Sequence, residues 1–180
     1  TESEIISKQA GWAEQSPSMW WEHTQQAILK ANATKKYNSA EIGAIGISYQ
    51  MHGLVTLDKK GNVLRDSIIW CDSRAVEIGN NAFDTIGHER CLSHLLNSPG
   101  NFTASKLAWV KQHEPEVFTK IDKIMLPGDF IAMKLTGEIS SSISSLSEGM
   151  FWDFETNTLS EDVFNCYQLN KELIPTINPV

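Results

Sequence analysis

Cysteine is sparse and poorly placed for pairing: Cys71, Cys91 and Cys166 are odd in number, far apart, and without any C-x-x-C spacing. Neither a disulfide framework nor a structural zinc site is suggested, and three buried thiols are the expectation. Positive charge is scarce as well, with 15 Lys and Arg against 22 Asp and Glu and a net charge of −7. Phosphate backbones and anionic membranes recruit clustered Lys and Arg, so nucleic acid and membrane are not expected partners. No apolar run approaches the roughly 20 residues that span a bilayer, and Thr1-Glu2-Ser3-Glu4 lacks the basic and apolar regions of a signal peptide. A cytoplasmic setting is expected. The sequence has no P-loop, no Asp-Gly-Thr and no Gly-Gly-Asp. It also lacks an initiator Met and ends on "LIPTINPV", so both ends read as cut from a longer chain.

What is present is a globular composition, able to bury a core as one domain. A helix is expected from Pro17 to about Thr34, with Ser16 as N-cap and Trp20, Ala27, Ile28 and Ala31 on one face. Residues 42–48 read as a strand buried on both faces, and 54–58 as a second, leading through the turn Lys59-Lys60-Gly61-Asn62 into Val63 and Leu64. Ile68-Ile69-Trp70 makes a further short strand. Helical stretches are expected at 73–86, 103–113 and 115–119, a strand at 123–126, and a helix capped by Asp129 and running to Leu135 before Gly137. This alternation is α/β: a mixed central sheet with helices on both faces, where ligands sit beyond strand ends.

"GISYQMHGLVTL" at 46–57 therefore raises a specific question, because Gln50, Met51 and His52 interrupt apolar sequence just where a strand would end. They either line a cleft, with Gly53 allowing close approach, or merely satisfy local backbone groups. A polyhydroxylated ligand needs donors and acceptors for its hydroxyls and apolar surface for its C–H faces, and an amide, an imidazole, a thioether and nearby Trp70 supply both. Trp20, Trp21 and Trp109 read as core packing. Asp72, just before Ser73, and Trp70 each have a structural alternative, as a helix cap and as core respectively. His23, His88, His94 and His113 fall on polar helical stretches where exposure accounts for them.

Several segments, in this order, carry a resemblance: "GWAEQSPSMWW" at 11–21, "IGAIGISYQMHG" at 42–53, "SIIWCDSR" at 67–74, "NFTASKLAWVKQHEPEVF" at 101–118 and "IDKIMLPGDFIAMKLTGE" at 121–138. The chain resembles the first domain of the FGGY family of carbohydrate kinases over nearly its whole length. Gln-Met-His-Gly fits the pentulose-kinase branch rather than glycerol kinases, which carry Arg-Glu there. The resemblance implies a ribonuclease-H-like domain of the actin, hexokinase and Hsp70 superfamily, lacking its first hairpin. It implies an enzyme that moves a phosphoryl group from ATP, with Mg²⁺, to a sugar such as D-xylulose; other sugars of the family are gluconate, ribulose and polyols. Substrate contacts would fall on Gln50, Met51, His52, Trp70, Asp72, Asn101 and Phe102, although Asn101 departs from the family pattern, which begins with Gly, Tyr, Phe, Met or Ser.

The expected partners are the sugar, the remainder of the same chain with its ATP-binding domain, and a second copy in a homodimer. The phosphate motif and the catalytic Asp would lie before residue 1 and after residue 180, so no catalytic or metal-binding residue is assigned within the chain. Glu148 and Asp153 align with a structural region of the family and are set aside. An inert relative that only binds sugar or a partner is the contrasting reading.

Overall fold

The structure, a computed structural model, describes residues 3–179. Its elements in chain order are β1 Glu14–Gln15, α1 Pro17–Ala33, β2 Val55–Leu57, β3 Ser67–Ile68, α2 Val76–Ile86, α3 His88–His94, α4 Thr103–His113 and α5 Pro115–Phe118. There follow β4 Lys123–Met125, α6 Pro127–Thr136, β5 Ser140–Ser142, α7 Ile143–Glu148, β6 Trp152–Asp153, β7 Thr158–Leu159, α8 Glu161–Tyr167 and β8 Thr176–Asn178.

Strand alternation decides which helices cover which face. Successive side chains of a strand point to opposite sides. Leu54, just before β2, packs with Ile68, Ile124 and residues of α2, α4 and α8, while Val55 and Leu57 pack with Met125, Phe130 and Met133, against which Trp20 and Trp21 lie. The strands are thus sandwiched, with α1 and α6 on one side and α2, α4 and α8 on the other. β1 pairs antiparallel with β3, a bridge from Leu54 to Ile68 carries the pairing on, and β2 pairs antiparallel with β4. β5 and β8 add the one parallel pair among the described residues. The mixed α/β arrangement agrees with the sequence reading, although the sheet is present as two-stranded pieces.

Several expectations need correction. Residues 42–48 form no strand: no backbone–backbone hydrogen bond among the described residues reaches residues 43–53, and Ile42 and Ile45 are exposed. An apolar run alone cannot make a strand where no neighbour offers its edge. α1 has the expected bounds, but Ser16 makes no side-chain cap bond and Ala27, Ile28 and Ala31 are exposed. Asp129 is the third residue of α6 rather than its N-cap, and its carboxylate reaches back 3.4 Å to accept from the Leu126 N–H. Cys71 is exposed, whereas Cys91 is buried and Cys166 half-buried.

α2 approaches the loop before α4 so closely that a Cβ on Gly79 would sit 1.7 Å from the Gly100 carbonyl oxygen. In an open helix Gly→Ala stabilises by about 1 kcal/mol. Here Gly79→Ala is expected to reverse that sign and destabilise by about 3 kcal/mol, read by urea denaturation, because overpacking against backbone leaves nothing soft to yield. In the same chain, amides 43–51 should exchange with solvent quickly. Strong protection of those amides would contradict the unpaired backbone described above.

Candidate functional site

The stretch before β2 ends in a tight corner. His52 has φ 60°, a left-handed conformation unusual for a residue other than glycine. Gly53 follows because a Cβ there would meet Pro127 Cγ at 2.4 Å. Side chains from distant parts of the chain fix this corner. Lys106 on α4 donates from Nζ to the His52 carbonyl at 2.6 Å, and Thr103 donates to the Gly53 carbonyl at 3.4 Å. Glu148, the last residue of α7, accepts the His52 backbone N–H and lies 2.5 Å from His52 Nδ1. One residue earlier than Met51, Gln50 Nε2 donates to Gln15 Oε1 at 2.8 Å, and Trp20 Nε1 donates to the same oxygen at 3.0 Å.

The corner meets a second loop. The His52 and Phe102 rings lie edge to face with centroids 4.1 Å apart. Asn101, beside Phe102, donates from Nδ2 to the Asp72 carbonyl and, at 3.5 Å, to the Trp70 carbonyl. The structure therefore links His52, Phe102, Asn101 and the 70–72 turn into one cluster. Met51 and Trp70 present their side chains to solvent at 55% and 56% exposure. Trp70 is not core.

Asp72 differs from what its sequence position suggests. It is fully buried, and its carboxylate accepts from the Ala13 N–H at 2.6 Å, the Arg74 N–H at 2.8 Å and the Arg74 guanidinium. Those oxygens face inward, away from any sugar, so what Asp72 contributes to the cluster is its carbonyl and the shape of its turn. It does not cap α2, which starts at Val76.

Glu148 is the residue that sequence reading set aside and the fold brings back. The sequence offered no signal for it, since its place at the C-terminus of α7, where the dipole disfavours negative charge, shows only in the fold. Buried acceptors without partners among the described residues cluster here as well, namely Glu148 Oε2 and Asn101 Oδ1. Lys106 is fully buried, and burial pulls its ammonium down to about 8, against the opposing pull of Asp72 and Glu148.

Two other features lie apart. A cavity of about 430 Å³ opens between residues 45–50, α1 and α6, lined by Trp20, Ile28, Ile47 and Ile131 among others. It shares Gln50 with the cluster. His94, Asp153 and Asp162 form the one cluster of potential metal ligands found among the described residues. The Arg90 guanidinium already pairs with Asp162 at 2.6 Å, and His94 Nδ1 with Asp153 at 2.9 Å. That cluster thus already holds the Arg90 guanidinium as its cation.

The cluster around His52 thus joins hydrogen-bonding groups of His52 and Asn101 to the exposed apolar side chains of Met51 and Trp70. The chain belongs to the FGGY family of carbohydrate kinases: the family's N-terminal domain matches residues 1–180. It is 35% identical over 166 residues to a xylulose kinase of Escherichia coli (strain K12), covering 92% of this chain and 34% of that protein. Among solved structures, a xylulose kinase from Rhodospirillum rubrum superposes with TM-score 0.84 at 29% identity, over 98% of this chain and 36% of that one. A gluconate kinase from Lactobacillus acidophilus superposes with TM-score 0.86 at 25% identity, over 99% and 36%. The chain thus spans about a third of the length of these relatives.

The buried Lys106 gives a pH-dependent prediction. Its folded value near 8 lies below the ordinary 10.5, so between those pH values the unfolded chain binds more protons and stability rises with pH. The slope from this group is at most about 1.4 kcal/mol per pH unit. Lys106→Met is expected to lack that rise: in urea denaturation the wild type should gain on the variant between about pH 8 and about pH 10. A constant difference would show that the ammonium is not depressed.

Proposed function

We propose that this chain is the sugar-binding part of an ATP-dependent kinase that phosphorylates D-xylulose to D-xylulose 5-phosphate. The observation that carries the reading is the His52–Phe102 contact at 4.1 Å beside exposed Met51 and Trp70. Likeness to xylulose kinases over more than nine-tenths of the chain supports it. In this reading Gln50 and His52 meet sugar hydroxyls, and Asn101 Oδ1 accepts from another. Met51, Trp70 and Phe102 lie against the carbon face. Asp72 acts through the turn it anchors.

ATP and Mg²⁺ are held by residues outside this chain, which also supply the carboxylate that takes the proton of the attacking hydroxyl. Closure of two domains over the sugar would exclude water from the reaction. A cytoplasmic enzyme is the matching setting. Gluconate is the second substrate reading, favoured by the likeness to a gluconate kinase.

The test is substrate profiling of the intact protein by sugar-dependent ADP release. D-xylulose should give the highest kcat/KM, and His52→Ala should raise the sugar KM by about 10-fold with the ATP KM little changed, the loss expected for one hydrogen bond. Preference for gluconate, or for no sugar, would replace the substrate assigned here. The 180-residue chain alone should show no sugar-dependent ATPase.

A further inference from the structure

We propose that Glu148 is the positioning residue of the sugar site, holding His52 in its left-handed conformation and orienting its imidazole toward the ligand. The inference rests on the reading of His52 as a sugar contact.

A residue other than glycine at φ 60° is strained and persists only where surroundings hold it. His52 is held at both ends of its backbone by charged side chains from different helices, the N–H by Glu148 on α7 and the carbonyl by Lys106 on α4. Glu148 alone also reaches the ring. Its Oε1 lies 2.5 Å from Nδ1, at ion-pair range though out of line for a hydrogen bond. The carboxylate beside Nδ1, tied also to the His52 backbone N–H, fixes which way the ring faces and leaves Nε2 on the side away from Glu148. Phe102 against the ring limits its rotation.

Nothing in α7 itself calls for an acid at this place. A carboxylate on the last residue of a helix opposes the dipole, and the N-terminal end of α7 is served by Ser142, which accepts from the Ser145 N–H at 3.2 Å. The remaining oxygen, Oε2, is buried with no partner among the described residues. A buried acceptor left unmet is costly, and a donor arriving with the ligand would relieve it. The side chain is therefore directed at the site, not at its own helix.

A double-mutant cycle on the intact enzyme tests this. Glu148→Ala should lower kcat/KM for D-xylulose by about 10-fold or more while the ATP KM stays within about twofold. In a His52→Ala background the same change should add less than about twofold, because its effect passes through the ring. Multiplicative losses, or no loss on the sugar side, would overturn the proposal. The isosteric Glu148→Gln guards against misfolding, and its His52 ring ¹⁵N signals should shift from those of the wild type. If the wild type phosphorylates no sugar, the substrate reading falls by itself. The ring signals then decide: unchanged signals in Glu148→Gln overturn the positioning role, and shifted ones uphold it.

Discussion

Arg74 is where the fold and the site become one problem. Its guanidinium is almost wholly buried, pairs with Asp72 at 2.6 Å and Glu14 at 2.8 Å, and lies 3.8 Å over the Trp12 ring and 4.9 Å from that of Trp109. A charge taken out of water this completely is tolerable only when its partners are all in place. Those partners come from β1, the turn after β3, the N-terminal loop and α4, so none of these can shift without exposing an unpaired ion. Burial pushes the Glu14 carboxyl up, yet Arg65, Lys8 and Arg74 together hold it below its ordinary value. Glu14 is thus met from three sides, although Arg65 Nη1 is buried without a partner among the described residues. Asp129 shows the opposite balance: burial raises its carboxyl despite hydrogen bonds from Ser141 and Ser145 at 2.8 Å.

α4 transmits this constraint to the site. Lys106 and Trp109 are three residues apart, on neighbouring positions of one helical face. Trp109 closes over Arg74 and stands edge to face with Trp12 at 5.2 Å, while Lys106 grips the His52 carbonyl. The residues before α4 reach the same two regions again, Asn101 toward Asp72 and Phe102 toward His52. A rigid core pair and a strained surface corner thus share a single helix. Fixing a surface side chain by such shared supports is what keeps a binding site from losing affinity to its own disorder.

Local signals in the sequence were legible where one physical rule decided them. Pro17 opens α1, Gly137 in the left-handed region closes α6, and the Lys59–Asn62 turn brings Val63 back to Leu57. Long-range charge pairing was not legible. Asp72 looked like a ligand because sequence cannot show that Ala13 and Arg74 would consume both oxygens. Glu148 looked structural because it aligns with a structural region of the family, and the 96 residues between it and His52 hide their contact. The small strands and helices after residue 138 were equally hidden, since segments of two to seven residues are too short for periodicity to declare. The family resemblance carried the rest of the reading.

The stretch from Ile42 to Ser48 shows how a corner can stand without the element expected to carry it. It was read as an inner strand whose end displays Gln50 to His52, and it is instead an exposed segment without backbone partners among the described residues. The corner at Gln50 to Gly53 stands without that strand. Gln15 holds Gln50, Glu148 and Lys106 hold His52, and Thr103 holds Gly53, each from an element outside the segment. Just beyond, Leu54 locks to Ile68 within the sheet. The corner is therefore anchored from its C-terminal side and from two helices, independently of residues 42–48.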